Sequence, residues 1–204
     1  MNAILENKKC DDKLWGFKRP DEERHIEDNI STETVDSLIR AITKRFSISQ
    51  EYYKLKAGLL KQAKLEYHER LVDYGEVDKD YSYDDSIKII QKVFGELDLK
   101  FLDIFNEFLE KGLIDVYPKK GKRQGGFCVH VLKSQPTYIM LNHTNKLNDV
   151  RTLAHELGHG INNELMKLNQ NSLNIGTPKS TAEVASTFIE DFVLQELLKN
   201  ADDE

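Results

Sequence analysis

Leu147-Asn148-Asp149-Val150-Arg151-Thr152-Leu153-Ala154-His155-Glu156-Leu157-Gly158-His159 is the stretch on which the reading of this chain turns. Val150, Leu153, Ala154, Leu157, Ile161 and Leu165 recur at helical spacing, so the segment reads as a long helix with an apolar face, capped by Asn148. His155 and His159 stand four apart, which places both imidazoles on one side of that helix, a turn from each other. Two neutral imidazoles so placed can reach one Zn²⁺ at a bond length of about 2.0–2.1 Å. Glu156 flanks the pair without having to bind the metal, the position from which a carboxylate takes a proton from metal-activated water. Gly158 leaves room for a substrate or a crossing helix. The bland alternative is a wet helix face with two unrelated histidines. The apolar neighbours Leu153, Ala154, Leu157 and Ile161 argue against it, because they leave little wet face.

A hydrolytic zinc takes a third protein ligand and keeps one open position. Glu183, in Ser180-Thr181-Ala182-Glu183-Val184-Ala185-Ser186, is the candidate, and it reads in two ways. Ser180 and Glu183 fit a capping box, in which the carboxylate closes back on the Ser180 N–H. The segment that follows is mostly apolar, and Glu183, Thr187 and Glu190 share its narrow polar stripe at i, i+4 and i+7. A carboxylate drawn inside needs a partner, and a metal is one. Glu190 has the place of a residue that orients a ligating histidine, and equally that of a plain surface carboxylate.

Outward from the motif, Ser31 caps a helix bearing Val35, Leu38, Ile39, Ile42 and Phe46. Ser49 is the expected cap of a second helix, and Ser82 with Asp85 of a third. Phe101, Leu102, Phe105 and Phe108 make a fourth helix, which Gly112 ends. Short strand-like pieces lie in 113–117, 126–132 and 137–141, and Ser180 opens a last helix reaching about Lys199. The expected fold is mainly α with one small β-sheet. Residues 1–29, polar and charged, are expected to form a partly ordered lead-in to one domain over 30–204.

The chain has 204 residues and a net charge of −6. Its one basic cluster, Lys119-Lys120-Gly121-Lys122-Arg123, reads as a solvated turn, since nucleic-acid binding takes several spread phosphate contacts. No apolar run approaches membrane-spanning length, and Met1 to Arg19 carries no secretory apolar stretch, so a cytoplasmic protein is expected, with neither membrane nor nucleic acid as partner. Cys10 and Cys128 lie far apart in no metal-binding spacing and read as two inert thiols. His25, His68, His130 and His143 have no ligand spacing to one another, and Tyr117 and Tyr138 read as packing residues.

Four stretches resemble the thimet-oligopeptidase and oligoendopeptidase F zinc peptidases, the oligoendopeptidase F branch above all: 115–117 with 121–127, 138–142, 147–159 and 182–190. The likeness covers about residues 25–199. It implies a zincin-like helical metallopeptidase core, Zn²⁺ held by His155, His159 and Glu183, and Glu156 as general base. It also implies that Gly125 to Cys128 lies on an edge strand beside the cleft, where an oligopeptide could add by backbone hydrogen bonds, with Gly125, Gly126 and Phe127 as substrate-binding residues. Members of the family are longer at both ends, and in them later helices supply groups that stabilise the oxyanion. The expected activity is therefore zinc-dependent hydrolysis of oligopeptides. The alternative is a weakly active metal-binding fragment that needs a complementing chain to finish the cleft.

Overall fold

The computed structural model describes residues 2–72, 74–75 and 79–199. They form two compact units, Met1–Glu76 and Val77–Glu204, a division that falls inside the span 30–204.

In the first unit, α1 (Asn2–Trp15) and α2 (Glu22–Glu27) occupy the expected lead-in. The helix α1 buries no residue. Charge pairs such as Lys9–Glu6 lie along it, the kind of local support a polar helix relies on. The next helix, α3 (Thr32–Thr43), starts where expected, with the Ser31 hydroxyl accepting from the Thr34 N–H. It ends before Phe46, which instead opens α4 (Phe46–Leu59). Ser49 is therefore an interior residue of α4 and caps nothing. Leu60 and Ala63 lie past that helix, and Lys61 turns out of it at a φ of 57°. Leu38 and Ile39, on the apolar row of α3, are 58% and 56% exposed.

The second unit holds the principal hydrophobic core. Ser82 caps α5 (Tyr83–Leu97), and Asp98 caps α6 (Leu99–Glu110), which Gly112 follows at a φ of 62°. Three short strands follow: β1 (Ile114–Asp115), β2 (Phe127–Val129) and β3 (Tyr138–Met140). Their order is β1-β3-β2, with β1 parallel and β2 antiparallel to the central β3, and Phe127 opposite Met140. The long helix α7 (Leu147–Asn169) comes next. Its first turn is closed by Asp149, whose carboxylate accepts from the Lys146 N–H at 2.9 Å and the Thr144 N–H at 2.7 Å. Asn148, the expected cap, already lies inside the helix. The last helix is broken: α8 (Lys179–Ala182), with Pro178 at its cap, gives way at Glu183 to α9 (Val184–Lys199).

Ile90 and Phe94 of α5, Phe105 and Phe108 of α6, Leu153 and Leu157 of α7, and Ile189 and Val193 of α9 meet in one core cluster with Ile139 of β3. Phe94 and Phe105 are completely buried and pack edge to face at 5.7 Å. Burying such side chains contributes about 1.5–3 kcal/mol each, which fixes the apolar side of α7 and thereby the direction of its other side. Lys119 and Lys122 of the basic cluster pair with Asp115. No described helix is long and apolar enough to cross a membrane. The fold is mainly α with one small three-stranded sheet.

Candidate metal centre

With Leu153, Leu157 and Ile161 drawn into the core, His155 and His159 are left on the opposite side of α7, rings 5.0 Å apart and edge to face. The approach of α9 completes the group. A Cβ on Gly158 would stand 2.5 Å from Ser186 Cα and 2.6 Å from the Ala185 carbonyl oxygen, so α9 comes this close only because residue 158 lacks a side chain. Gly158 thus makes room for a crossing helix, one of the two uses its position suggested.

That crossing carries Glu183, at the break between α8 and α9, to the imidazoles. Its Oε2 lies 3.3 Å from His155 Nε2 and 3.4 Å from His159 Nε2, and the three donor atoms all sit within 4.8 Å of one another. These separations are long for charge-assisted hydrogen bonds, which run about 2.7–2.9 Å. They match the edge of a tetrahedron: ligands about 2.0–2.1 Å from a zinc ion stand roughly 3.3–3.4 Å apart. The donor set, two imidazole nitrogens and a carboxylate, therefore fits zinc. The capping alternative does not describe Glu183, since Ser180 lies inside α8 and the carboxylate accepts instead from the Ser186 hydroxyl at 2.7 Å. That hydrogen bond, with the nearby histidines, holds the Glu183 carboxyl below its ordinary pKa against the effect of burial.

The outer nitrogen of the His155 ring is also engaged. His155 Nδ1 is 3.1 Å from Glu190 Oε2, while Arg151 donates to Glu190 Oε1 from Nη2 at 2.6 Å and Nε at 3.2 Å. With Nδ1–H donating to the carboxylate, Nε2 presents its lone pair towards Glu183 and His159. Burial pushes the pKa of His159 down, which favours the neutral ring a metal needs.

Glu156 faces the sheet. It is only 7% exposed, and burial pushes its carboxyl pKa up, with Glu183 adding to the rise and His155 opposing it. The Cys128 backbone, on β2, opposes the rise. Gly126, just before β2, lets that strand approach, since a Cβ there would lie 3.1 Å from Glu156 Oε1 and 2.8 Å from Thr152 Cγ2. The Asn142 amide donates to the Arg123 and Gly125 carbonyls, holding the turn into the strand, where Gly125 has a φ of 81°. Phe127 lies on β2, one of the two edge strands of the sheet, under the Arg123 guanidinium. A cleft of about 190 Å³ lined by Gly125, Gly126 and Thr152 runs beside it.

Cys128 and the remaining histidines stay apart from the donor group. Burial pushes the Cys128 thiol up to about 12, with Glu156 adding to it, so it stays protonated. His143 is buried against Ser86, and His25 is buried against Thr32. Sequence reasoning missed Ser186 and Arg151 as partners of the site. Their signal was faint: Arg151 precedes His155 by one helical turn, and Ser186 follows Glu183 by three residues.

The whole chain, residues 1–204, matches the model of peptidase family M3. Oligopeptidase PepF of Bacillus subtilis is 29% identical over 180 residues, which cover 86% of this chain and 26% of that protein. The chromosomal oligoendopeptidase F of Lactococcus lactis subsp. cremoris is 26% identical over 169 residues, 83% of this chain and 28% of its own length. The solved structure of PZ peptidase A with an inhibitor superposes with a TM-score of 0.73 at 20% identity, covering 93% of this chain and 35% of the other. The chain thus spans between a quarter and about a third of these proteins.

Proposed function

The chain belongs to peptidase family M3, and on that footing we propose that residues 30–204 form part of a catalytic domain that hydrolyses oligopeptides with zinc held by His155, His159 and Glu183. The observation that carries this reading is the meeting of the three donors at tetrahedral-edge spacing, 3.3 and 3.4 Å from one carboxylate oxygen. A bound zinc ion would supply Lewis acidity, polarising the scissile carbonyl and bringing the pKa of water near 7.

The chain's own groups do the rest. Glu156, buried and raised in pKa, takes the proton of the attacking water and returns it to the leaving amine nitrogen. Glu190 keeps the His155 ring turned so that Nε2 faces the metal. The edge at Gly125, Gly126 and Phe127 holds the peptide backbone by hydrogen bonding, and the missing Cβ of Gly126 lets it lie close to Glu156.

A second reading is a metal-binding part of a larger cleft with little turnover of its own, finished by a complementing chain. The apolar row left open on α3 favours it. One experiment separates the two: zinc content and hydrolysis of a quenched-fluorescence oligopeptide, measured on the parent and on Glu156→Gln. Zinc in both, with hydrolysis in the parent falling by about 10²–10⁴-fold in the variant, supports the peptidase. Zinc in both without hydrolysis in either supports the partial cleft.

A further inference from the structure

Each oxygen of the Glu190 carboxylate has its own partner. Oε2 meets His155 Nδ1 at 3.1 Å, and Oε1 receives two hydrogen bonds from Arg151, at 2.6 and 3.2 Å. Arg151 and His155 are four apart on α7 and so face the same way; Glu183 and Glu190 are seven apart and face them from the other side of the helix crossing. Two carboxylates therefore flank one imidazole, Glu183 at Nε2 and Glu190 at Nδ1. Like charge tends to separate them, and Glu190 is a flexible side chain able to swing towards solvent.

We propose that Arg151 is a positioning residue of the zinc site: it pins one oxygen of Glu190 so that the other stays on the His155 ring. The inference rests on the zinc reading given above and adds a residue to it. An ordinary surface ion pair would contribute nothing to metal binding, because exposed pairs are worth little and act locally. Here the pair is only partly exposed, 44% for Arg151 and 23% for Glu190, and its acidic member holds a candidate ligand. Arginine suits the task, since two of its donors reach the same oxygen from a fixed plane.

The test is zinc affinity, measured by competition with a chromophoric chelator on the full chain. The set is the parent, Arg151→Met, Arg151→Lys, Glu190→Ala and the double variant Arg151→Met with Glu190→Ala. The expected result is a roughly tenfold weakening in Arg151→Met, the low end of the 10–100-fold seen when groups that orient metal ligands are removed. Arg151→Lys recovers most of that loss, Glu190→Ala loses at least as much, and Arg151→Met costs nothing further once Glu190 is gone. The metal-free Tm of Arg151→Met stays at that of the parent. Unchanged affinity in Arg151→Met overturns the proposal, and so does an equal loss in both Glu190 backgrounds. A parent that takes up no zinc overturns the zinc reading as well, and the titration of the parent alone tells that failure from the others.

Discussion

Glu156 and Gly126 show how much of the site depends on single residues. The carboxylate is buried, sits between a histidine and the edge strand, and is reached only because residue 126 has no side chain. Gly126→Ala puts a methyl 2.8 Å from Thr152 Cγ2 and 3.1 Å from Glu156 Oε1, so the base must shift. The expected outcome is a fall in kcat of about tenfold or more with zinc content unchanged, read from steady-state kinetics beside elemental analysis. A variant that also loses zinc would mean that the strand, and not the base alone, has moved. The histidine pair was legible in the sequence because i, i+4 spacing is enough to place both rings on one helix face, whereas Glu183 was read from the polar stripe it shares with Thr187 and Glu190 and from the family resemblance. Ser186 and Arg151 were not, because both act across a helix crossing, and sequence spacing does not encode how two helices meet.

At the level of elements, the α7–α9 crossing decides whether Glu183 reaches the imidazoles. Gly158→Ala would drive a Cβ to 2.5 Å from Ser186 Cα, against backbone that cannot turn aside. Overpacking of this kind costs about 1–3 kcal/mol, and here it also pushes Glu183 outward. The expected result is a lower Tm together with zinc affinity reduced by at least about tenfold; a lower Tm with unchanged affinity would mean that Glu183 is not a ligand. The turn leading into α7 gives a pH prediction. Ser86 Oγ lies within hydrogen-bond reach of the Ser82 carbonyl and of His143 Nε2, and His143 Nδ1 accepts from the Asn145 N–H. Burial pushes the pKa of His143 down, so below about pH 6.5 the unfolded chain binds the proton more readily than the folded one. Stability supplied by this neutral ring is present above that pH and is lost as pH falls through it. Thermal melts from pH 7.5 to 5 should show the parent losing more Tm than His143→Gln; equal losses would remove His143 as the cause. Helix starts were the least legible feature: Asn148 and Ser49 have the right chemistry for caps, but the caps are Lys146 and Arg45, two and four residues earlier, where Asp149 can reach back and where Phe46 begins its helix.

For the molecule as a whole, the core and every candidate site residue fall in the second unit. The mainly helical fold with its small sheet was legible because long apolar periods and short strand-like runs are local signals. The helical character of residues 2–15 was not, since charge pairs rather than an apolar stripe support it. A chain of residues 79–199 is expected to fold and to bind zinc within about threefold of the full chain, checked by circular dichroism and chelator competition; failure to fold would make the first unit part of the same cooperative structure. The most direct test of the central claim is zinc stoichiometry and affinity in the parent beside Glu183→Ala. The account predicts one zinc per parent chain and a loss of affinity of about a hundredfold or more in the variant, with its metal-free fold intact. Equal zinc binding by the two would contradict it, leaving Glu183 a neighbour of the histidines and not their partner at a metal.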